Sequence, residues 1–407
     1  MASTSLKRSI TLPLLMFYGL GNILGAGIYV LVGKVIGVAG VYAPLSFLVA
    51  SSLALFTAFS YAELSSRFPL SGAESIYVHE AFHVRALALT VGLLVITAGT
   101  LSSAAIVQGF VGYFNIFFNT PKSLTIILVV IGIAALAIWG ILESVRFAVI
   151  LTLLEITGLV LIIWAGRQDL INLPSHLPDL IPAADSTLWY GIFWGGLLAF
   201  YAYIGFEDMA NVAEEVKNPQ VSMPIAILLA LGISALLYFA VALVAVLALP
   251  AEKLAQSDAP LAMIYQHYTG KEPVLVSLIG LFAVINGALI QIIMVSRLLY
   301  GLSKKSWIPA MFGYVNRRTS TPVTATVMSA LAVMTLSLSM DITSLAEHTS
   351  VVILVIFVLV NAALIKIKKD NPHPDNVITY PLILPILGLI SAAAFIMLRL
   401  SGTTPGT

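Results

Sequence analysis

The sequence predicts an all-α integral membrane protein of about eleven transmembrane helices. Three features predict it: an apolar excess, repeated apolar runs of spanning length, and two such runs broken at matching places. Of 407 residues, 59% are hydrophobic and 10% charged, with a mean hydropathy of +1.02. Soluble domains are roughly 45–50% apolar and about 25% charged. No soluble fold of this size hides such an excess, so lipid is the solvent. Twenty Lys and Arg stand against nineteen Asp and Glu, a formal net charge of +1. Nucleic acid, which needs a basic surface, is excluded as a partner. The chain has no Cys, which removes disulfides, Cys-zinc sites and thiol catalysis. The first apolar run is too long for a signal-peptide core, and no small-residue cleavage site closes it.

A spanning helix needs about 20 mostly apolar residues. Spans are expected near Leu12–Val32, Val41–Phe59, Leu87–Phe110, Leu124–Ile141, Phe147–Ala165 and Leu188–Ala210. Five more follow near Ile225–Leu249, Val274–Tyr300, Val323–Ser339, Val351–Ile365 and Leu382–Leu400. The tenth has an alternative start near Ile342. The longest loops are Ser60–Ala86, Gly166–Thr187, Pro250–Pro273, Gly301–Pro322 and Lys366–Pro381. None is of domain size, so residues 1–407 read as one membrane transport domain. With the N-terminus in the cytoplasm, fourteen of the twenty Lys and Arg fall inside. Lys7, Arg8, Arg67, Arg85, Arg146, Lys217, Arg317 and Arg318 are among them. This is the usual inside bias. It places the C-terminus outside and suits a cell (plasma or inner) membrane.

The first span reads Tyr18-Gly19-Leu20-Gly21-Asn22-Ile23-Leu24-Gly25-Ala26-Gly27, with four glycines in nine residues. Each Gly costs a helix about 1 kcal/mol against Ala. The sixth span has Gly205 in mid-run, with Glu207 and Asp208 just after it. Broken backbone at membrane depth survives only where it is buried or lines a cavity. Spans one and six open two five-span units (about 11–166 and 187–366), with an extra helix at about 381–400. Five is odd, so the second unit starts from the opposite side: an inverted repeat. Interrupted helices at matching positions of two halves point to a transporter's central site. Close helix packing through Gly21 and Gly25 competes for the first span alone. Gly19-Leu20-Gly21 with Gly25 is spaced GxGxxxG and follows no strand, so it is no dinucleotide fingerprint.

These residues resemble a known family. Gly25-Ala26-Gly27-Ile28 is similar to the first-helix motif of the amino acid–polyamine–organocation (APC) superfamily. Tyr61-Ala62-Glu63-Leu64 with Pro69-Leu70-Ser71-Gly72-Ala73 resembles its loop after the second helix. Gly205-Phe206-Glu207-Asp208, then Glu214-Glu215-Val216-Lys217-Asn218-Pro219, resembles its sixth helix and following loop. Ser296-Arg297-Leu298-Leu299-Tyr300-Gly301, then Thr321-Pro322, resembles the stretch between helices eight and nine. The resemblance implies five-plus-five inverted repeats and alternating access. Carried over by position, backbone N–H groups of Ala26 and Gly27, freed by the break at Gly25, would meet a substrate carboxylate. Carbonyls of Ile23, Tyr201 and Ile204, freed by unwinding of the two helices, would meet its amine. Tyr201 matches an aromatic that closes over substrate. A half-helix N-terminus does favour an anion.

Two departures stand out. Most relatives have a twelfth helix, which lies outside the repeats, and no span follows Leu400. At Glu155, proton-coupled relatives of one branch carry a Lys where sodium sits in sodium-coupled cousins. An acid in mid-span is a functional candidate by default. Burial favours its protonated form, so Glu155 is the candidate for proton coupling, with sodium as the alternative ion. Glu207 is the candidate for gating the unwound segment, with Tyr201. Glu63, Arg67, Glu74, Arg85, Glu214, Glu215 and Lys217 are candidates for an inner gate of ion pairs or for a solvated surface. Asn22, Thr97, Ser102, Ser103, Asn286 and Gln291 supply polar positions within spans. No charged residue or His lies in the middle of spans three or eight, which hints at a neutral substrate side chain. His79 and His83, spaced i,i+4, suit a metal on a helix, but the stretch reads better as an interfacial surface helix. No metal, cofactor or hydrolytic set is assigned.

The sequence reading is a secondary transporter of a small, neutral L-amino acid, driven by protons. A polyamine or organic-amine carrier, an amino acid exchanger and a non-transporting receptor are the alternatives. Nothing here fixes an oligomeric state, and no enzyme activity is expected.

Overall fold

The computed structural model describes residues 8, 10–70, 72–139, 145–316, 319, 321–372 and 374–400. Lys7, Ser71, Ile141, Arg317, Arg318 and His373 of the sequence reading lie outside them. Each of the eleven expected spans falls at least in part on helix among the described residues. The first is α1 (Leu12–Leu24) and α2 (Ala26–Ala39), interrupted at Gly25. Next come α3 (Ala43–Arg67), α4 (Ala73–Phe82), α5 (Arg85–Phe114), α6 (Lys122–Trp139) and α7 (Val145–Ala165). Two short helices, α8 (Arg167–Ile171) and α9 (Leu173–Leu180), lead to α10 (Ser186–Phe200). A 3-10 turn at Tyr201–Tyr203 and a 3-10 stretch at Glu207–Glu215 follow. The rest is α11 (Pro219–Ala248), α12 (Ala251–Gln256), α13 (Pro260–Thr269), α14 (Val274–Lys304), α15 (Val323–Ser339), α16 (Ile342–Asp370) and α17 (Ile383–Leu400).

Helix ends depart from hydropathy where the chain is buried by protein rather than by lipid. The second span runs on to Arg67, because Ser60 to Ser66 are buried. The tenth starts at Ile342, where Asp341 caps it by accepting from the Ser344 N–H. The sixth does not continue as α-helix to Ala210; it turns 3-10 after Phe200. Among the described residues seven helical stretches are long and apolar enough to cross a membrane, and the first of them, Leu12–Arg67, holds both the first and second expected spans.

The molecule wears its apolar residues outside. Leu128 is 60% exposed, Leu236 70% and Met397 72%. Carboxylates such as Glu63 and Glu155 are buried at 0% and 1%. That inversion fits a hydrocarbon solvent. α3 packs along α11, α5 along α14, and α6 against α15. α1 rests on α11 while α10 rests on α3; α7 meets α14 while α16 meets α5. Each contact thus has a counterpart five spans on.

One buried ion network ties α3 to α16. Both oxygens of Glu63 accept from Lys368 Nζ at 2.8 Å. Arg67 donates to Oε1 through Nη2 at 2.7 Å and Nε at 3.0 Å. The N–H of Tyr380 reaches Oε2 at 2.9 Å. Removing one partner of a buried ion pair destabilises by about 3–5 kcal/mol. Glu63→Gln is therefore expected to lower the melting temperature of the detergent-solubilised protein markedly; an unchanged melt contradicts this role.

Candidate functional site

Helix α1 ends at Gly25, whose φ of −40° and ψ of −129° no helix contains, and no side chain caps α2 behind it. The first N–H groups of α2 are therefore of the kind a helix leaves unpaired, at its positive dipole end. The sixth span breaks at Gly205, with φ at +129°. A Cβ there would also stand 2.7 Å from the carbonyl oxygen of Asn22. The Glu207 carboxylate braces the break, accepting from the Gly205 N–H at 2.9 Å.

The two breaks lie against each other. A Cβ on Gly27 would stand 2.5 Å from the Cα of Ala202, so this contact admits no side chain. Between them is a cavity of about 20 Å³, lined by Asn22, Ile23, Gly25, Gly27, Ser102, Ile106, Tyr201, Ile204, Gly287, Ile290 and Gln291. It is large enough for one water and too small for an amino acid. Tyr201 closes one wall: its hydroxyl donates to the Ser102 carbonyl at 3.1 Å and stands 3.2 Å from the Ser102 hydroxyl.

Most expected site residues meet here. Ile23, Gly25, Gly27, Tyr201 and Ile204 line the cavity, Ala26 opens α2, and Gly205 sits at the second break. Asn22, Ser102 and Gln291 join them. Of the other polar candidates, Ser103 donates to the Ala288 carbonyl, and Thr97 to Leu93 of its own helix. The expected inner gate divides. Glu63 and Arg67 belong to the network with Lys368, which hydropathy gave no reason to single out. Arg85 stacks over the Trp307 ring at 5.1 Å. Glu74 turns inward instead, with the Tyr61 hydroxyl 3.4 Å from Oε1, and burial pushes its carboxyl up to about 7.

Glu155 does not line the cavity. It is buried on α7, with Oε1 3.5 Å from Asn286 Nδ2 and Oε2 without a partner. Asn286 adjoins Gly287 of the cavity wall. The Tyr29 hydroxyl donates to the backbone carbonyl of Glu155 at 2.6 Å, so α2, α7 and α14 converge on it.

Sequence reading missed Tyr238. Its hydroxyl donates to the carbonyls of Ile23 at 2.5 Å and Ala202 at 3.0 Å. One hydroxyl proton thus serves both broken helices, and the Ile23 carbonyl already takes one hydrogen bond. The signal was available: a buried Tyr hydroxyl in an apolar span needs a partner. His79-Glu80-Ala81-Phe82-His83 has the H-E-x-x-H spacing of zinc peptidases. Yet His83 lies past the end of α4 at φ 55°, the two rings are edge to face, and no metal-holding group of three His, Asp or Glu occurs among the described residues.

Comparison with known proteins agrees with this architecture. The profile of a family described as amino acid permease matches residues 10–404. The chain is 30% identical over 397 residues to the vacuolar cationic amino acid transporter 2 of Arabidopsis thaliana, covering 91% of this chain and 62% of that protein. It is 28% identical over 429 residues to the branched-chain amino acid permease BcaP of Bacillus subtilis (strain 168), covering 98% and 90%. It is 27% identical over 431 residues to the methylthioribose transporter of the same organism, covering 99% and 90%. The chain therefore spans less than two thirds of the Arabidopsis relative. It is an integral membrane protein, and it belongs to the amino acid permease family.

Losing one buried hydroxyl donor costs about 1–3 kcal/mol. Tyr238→Phe, which leaves two carbonyls short of that donor, should lower the melting temperature, and an unaltered melt would count against the bridge. Gly205→Ala should do more, since a strained φ alone costs about 1–3 kcal/mol and the clash adds to it; a wild-type melt contradicts that.

Proposed function

We infer that the chain is a secondary active transporter of amino acids, working by alternating access around the cavity between the two breaks. The observation that carries this reading is the facing of the breaks: a half-helix N-terminus at Ala26 and Gly27 lies opposite the broken backbone at Ile204 and Gly205. The first favours a carboxylate, the second an ammonium, and an α-amino acid carries both. The paired packing of α3 with α11, α5 with α14 and α6 with α15 supports two inverted five-helix repeats, about 11–166 and 187–366, with α17 outside them. The relatives' names, cationic amino acid, branched-chain amino acid and methylthioribose, agree on small solutes and not on the side chain.

The closed cavity supports a mechanism in which helices must move apart for substrate to enter. α3, α11 and the two broken helices rock against α5 and α14, opening the breaks to each side in turn. Glu207 holds the sixth-span break in shape, and Tyr201 forms the wall that closes. Glu155 couples the cycle to protons: its bare Oε2 is a place where a proton removes an expensive buried charge. Sodium at the same carboxylate is the alternative. The N-terminus is cytoplasmic and the membrane is the cell membrane. A polyamine carrier would need no carboxylate cradle.

Uptake of labelled amino acids into proteoliposomes, with and without an inward proton gradient, tests this. Gradient-enhanced uptake of an amino acid is expected, and Glu155→Gln should abolish the enhancement while leaving exchange. Uptake of none, with folded protein in the membrane, overturns the transport reading. Normal gradient-driven uptake in the variant overturns the role of Glu155.

A further inference from the structure

A second cavity, about 10 Å³, adjoins the first; both are lined by Ser102, Ile204 and Gln291. Its lining brings together Glu74 from α4 with Glu207 and Asp208 from the stretch after the sixth-span break. These carboxyls are 3%, 4% and 6% exposed. The charges that act on Glu207 are those of Asp208 and Glu74, and the one that acts on Asp208 is that of Glu74. Elsewhere this chain pairs a buried acid fully, as Lys368 and Arg67 do for Glu63. Buried charges are paired or bind something.

Gln291 points the same way. Its Nε2 donates to Asp208 Oδ2 at 3.2 Å, which fixes the amide with its oxygen turned away. That Oε1 is buried and has no donor. When ionised, these carboxyls and the bare amide oxygen offer acceptors only, and a ligand that brings N–H donors and positive charge suits them. No three of these groups are placed to hold a metal ion among the described residues.

We propose that the second cavity is a subsite for the cationic end, ammonium or guanidinium, of a substrate side chain, with Asp208, Glu74 and the Gln291 amide oxygen as its acceptors. It rests on the first cavity being the amino acid site: a side chain leaving that site passes Ser102, Ile204 and Gln291 to reach the acids. Both cavities are water-sized here, so occupation requires the 3-10 stretch after Gly205 to shift, a helix type with weaker hydrogen bonds. The lack of charge in the middle of α5 and α14 does not make the site neutral, because its acids arrive from other elements.

The test compares labelled lysine with norleucine, which lacks the ammonium, for uptake into proteoliposomes and for thermal stabilisation of the solubilised protein. Wild type should favour lysine, and Asp208→Asn and Glu74→Gln should each cut the lysine-to-norleucine ratio by about tenfold. The ratio is taken within one preparation, so a smaller folded fraction cancels. Equal handling of the two by wild type, or an unchanged ratio in both variants, overturns the subsite. Preferential stabilisation by lysine without uptake of either keeps the subsite and overturns transport.

Discussion

Two helices are broken at a depth where bulk water does not reach to repair them, and the rest of the molecule answers that constraint. Free N–H and C=O groups in hydrocarbon cost several kcal/mol each. The protein meets this by laying the breaks against each other and closing α3, α5, α11 and α14 around them. Glycine makes the approach possible, since the contact of Gly27 with Ala202 leaves no room for a side chain. Side chains then meet part of the need: Tyr238 serves two carbonyls, and Glu207 takes the Gly205 N–H. What stays free is the proposed contact for a zwitterion.

Acidic residues fall into two kinds. Glu63 is neutralised by two cations and a backbone N–H, and its work is to hold α3, α16 and the chain before α17 together. Glu155, Glu74, Glu207 and Asp208 are as deeply buried, yet no cation pairs with them among the described residues. A charge left unpaired in that setting is unstable alone, and that is why the roles proposed above, proton coupling and cation binding, fall on this second kind. Glu74 shows the point outside the spans, with burial holding its carboxyl near 7.

The spans were legible because lipid imposes a simple rule on composition, and the breaks because glycine is expensive inside a helix. Gly25, Gly27 and Gly205 announced themselves in this way, and Ser102 and Gln291 as polar groups in apolar runs. The tenth helix takes the earlier of its two expected starts, Ile342, because protein partly covers Ile342 to Ser350. Tyr238, Lys368 and the inward turn of Glu74 depend on which face of a helix meets which neighbour. Periodicity cannot supply that for helices apolar on all sides. The same limit applies to the acids near the cavity, which come from α4 and from the stretch beyond Gly205 rather than from the middle of α5 or α14.

The central claim is that one cavity, between two broken helices, opens to each side of the membrane in turn. The chain has no Cys, so Ile290→Cys places a single thiol in the cavity wall. Its reaction with a membrane-impermeant thiol reagent, measured in vesicles of both orientations, reads access directly. The account predicts labelling from either side, slowed by a transported amino acid. Labelling from one side alone, whatever amino acid or gradient is supplied, would contradict it.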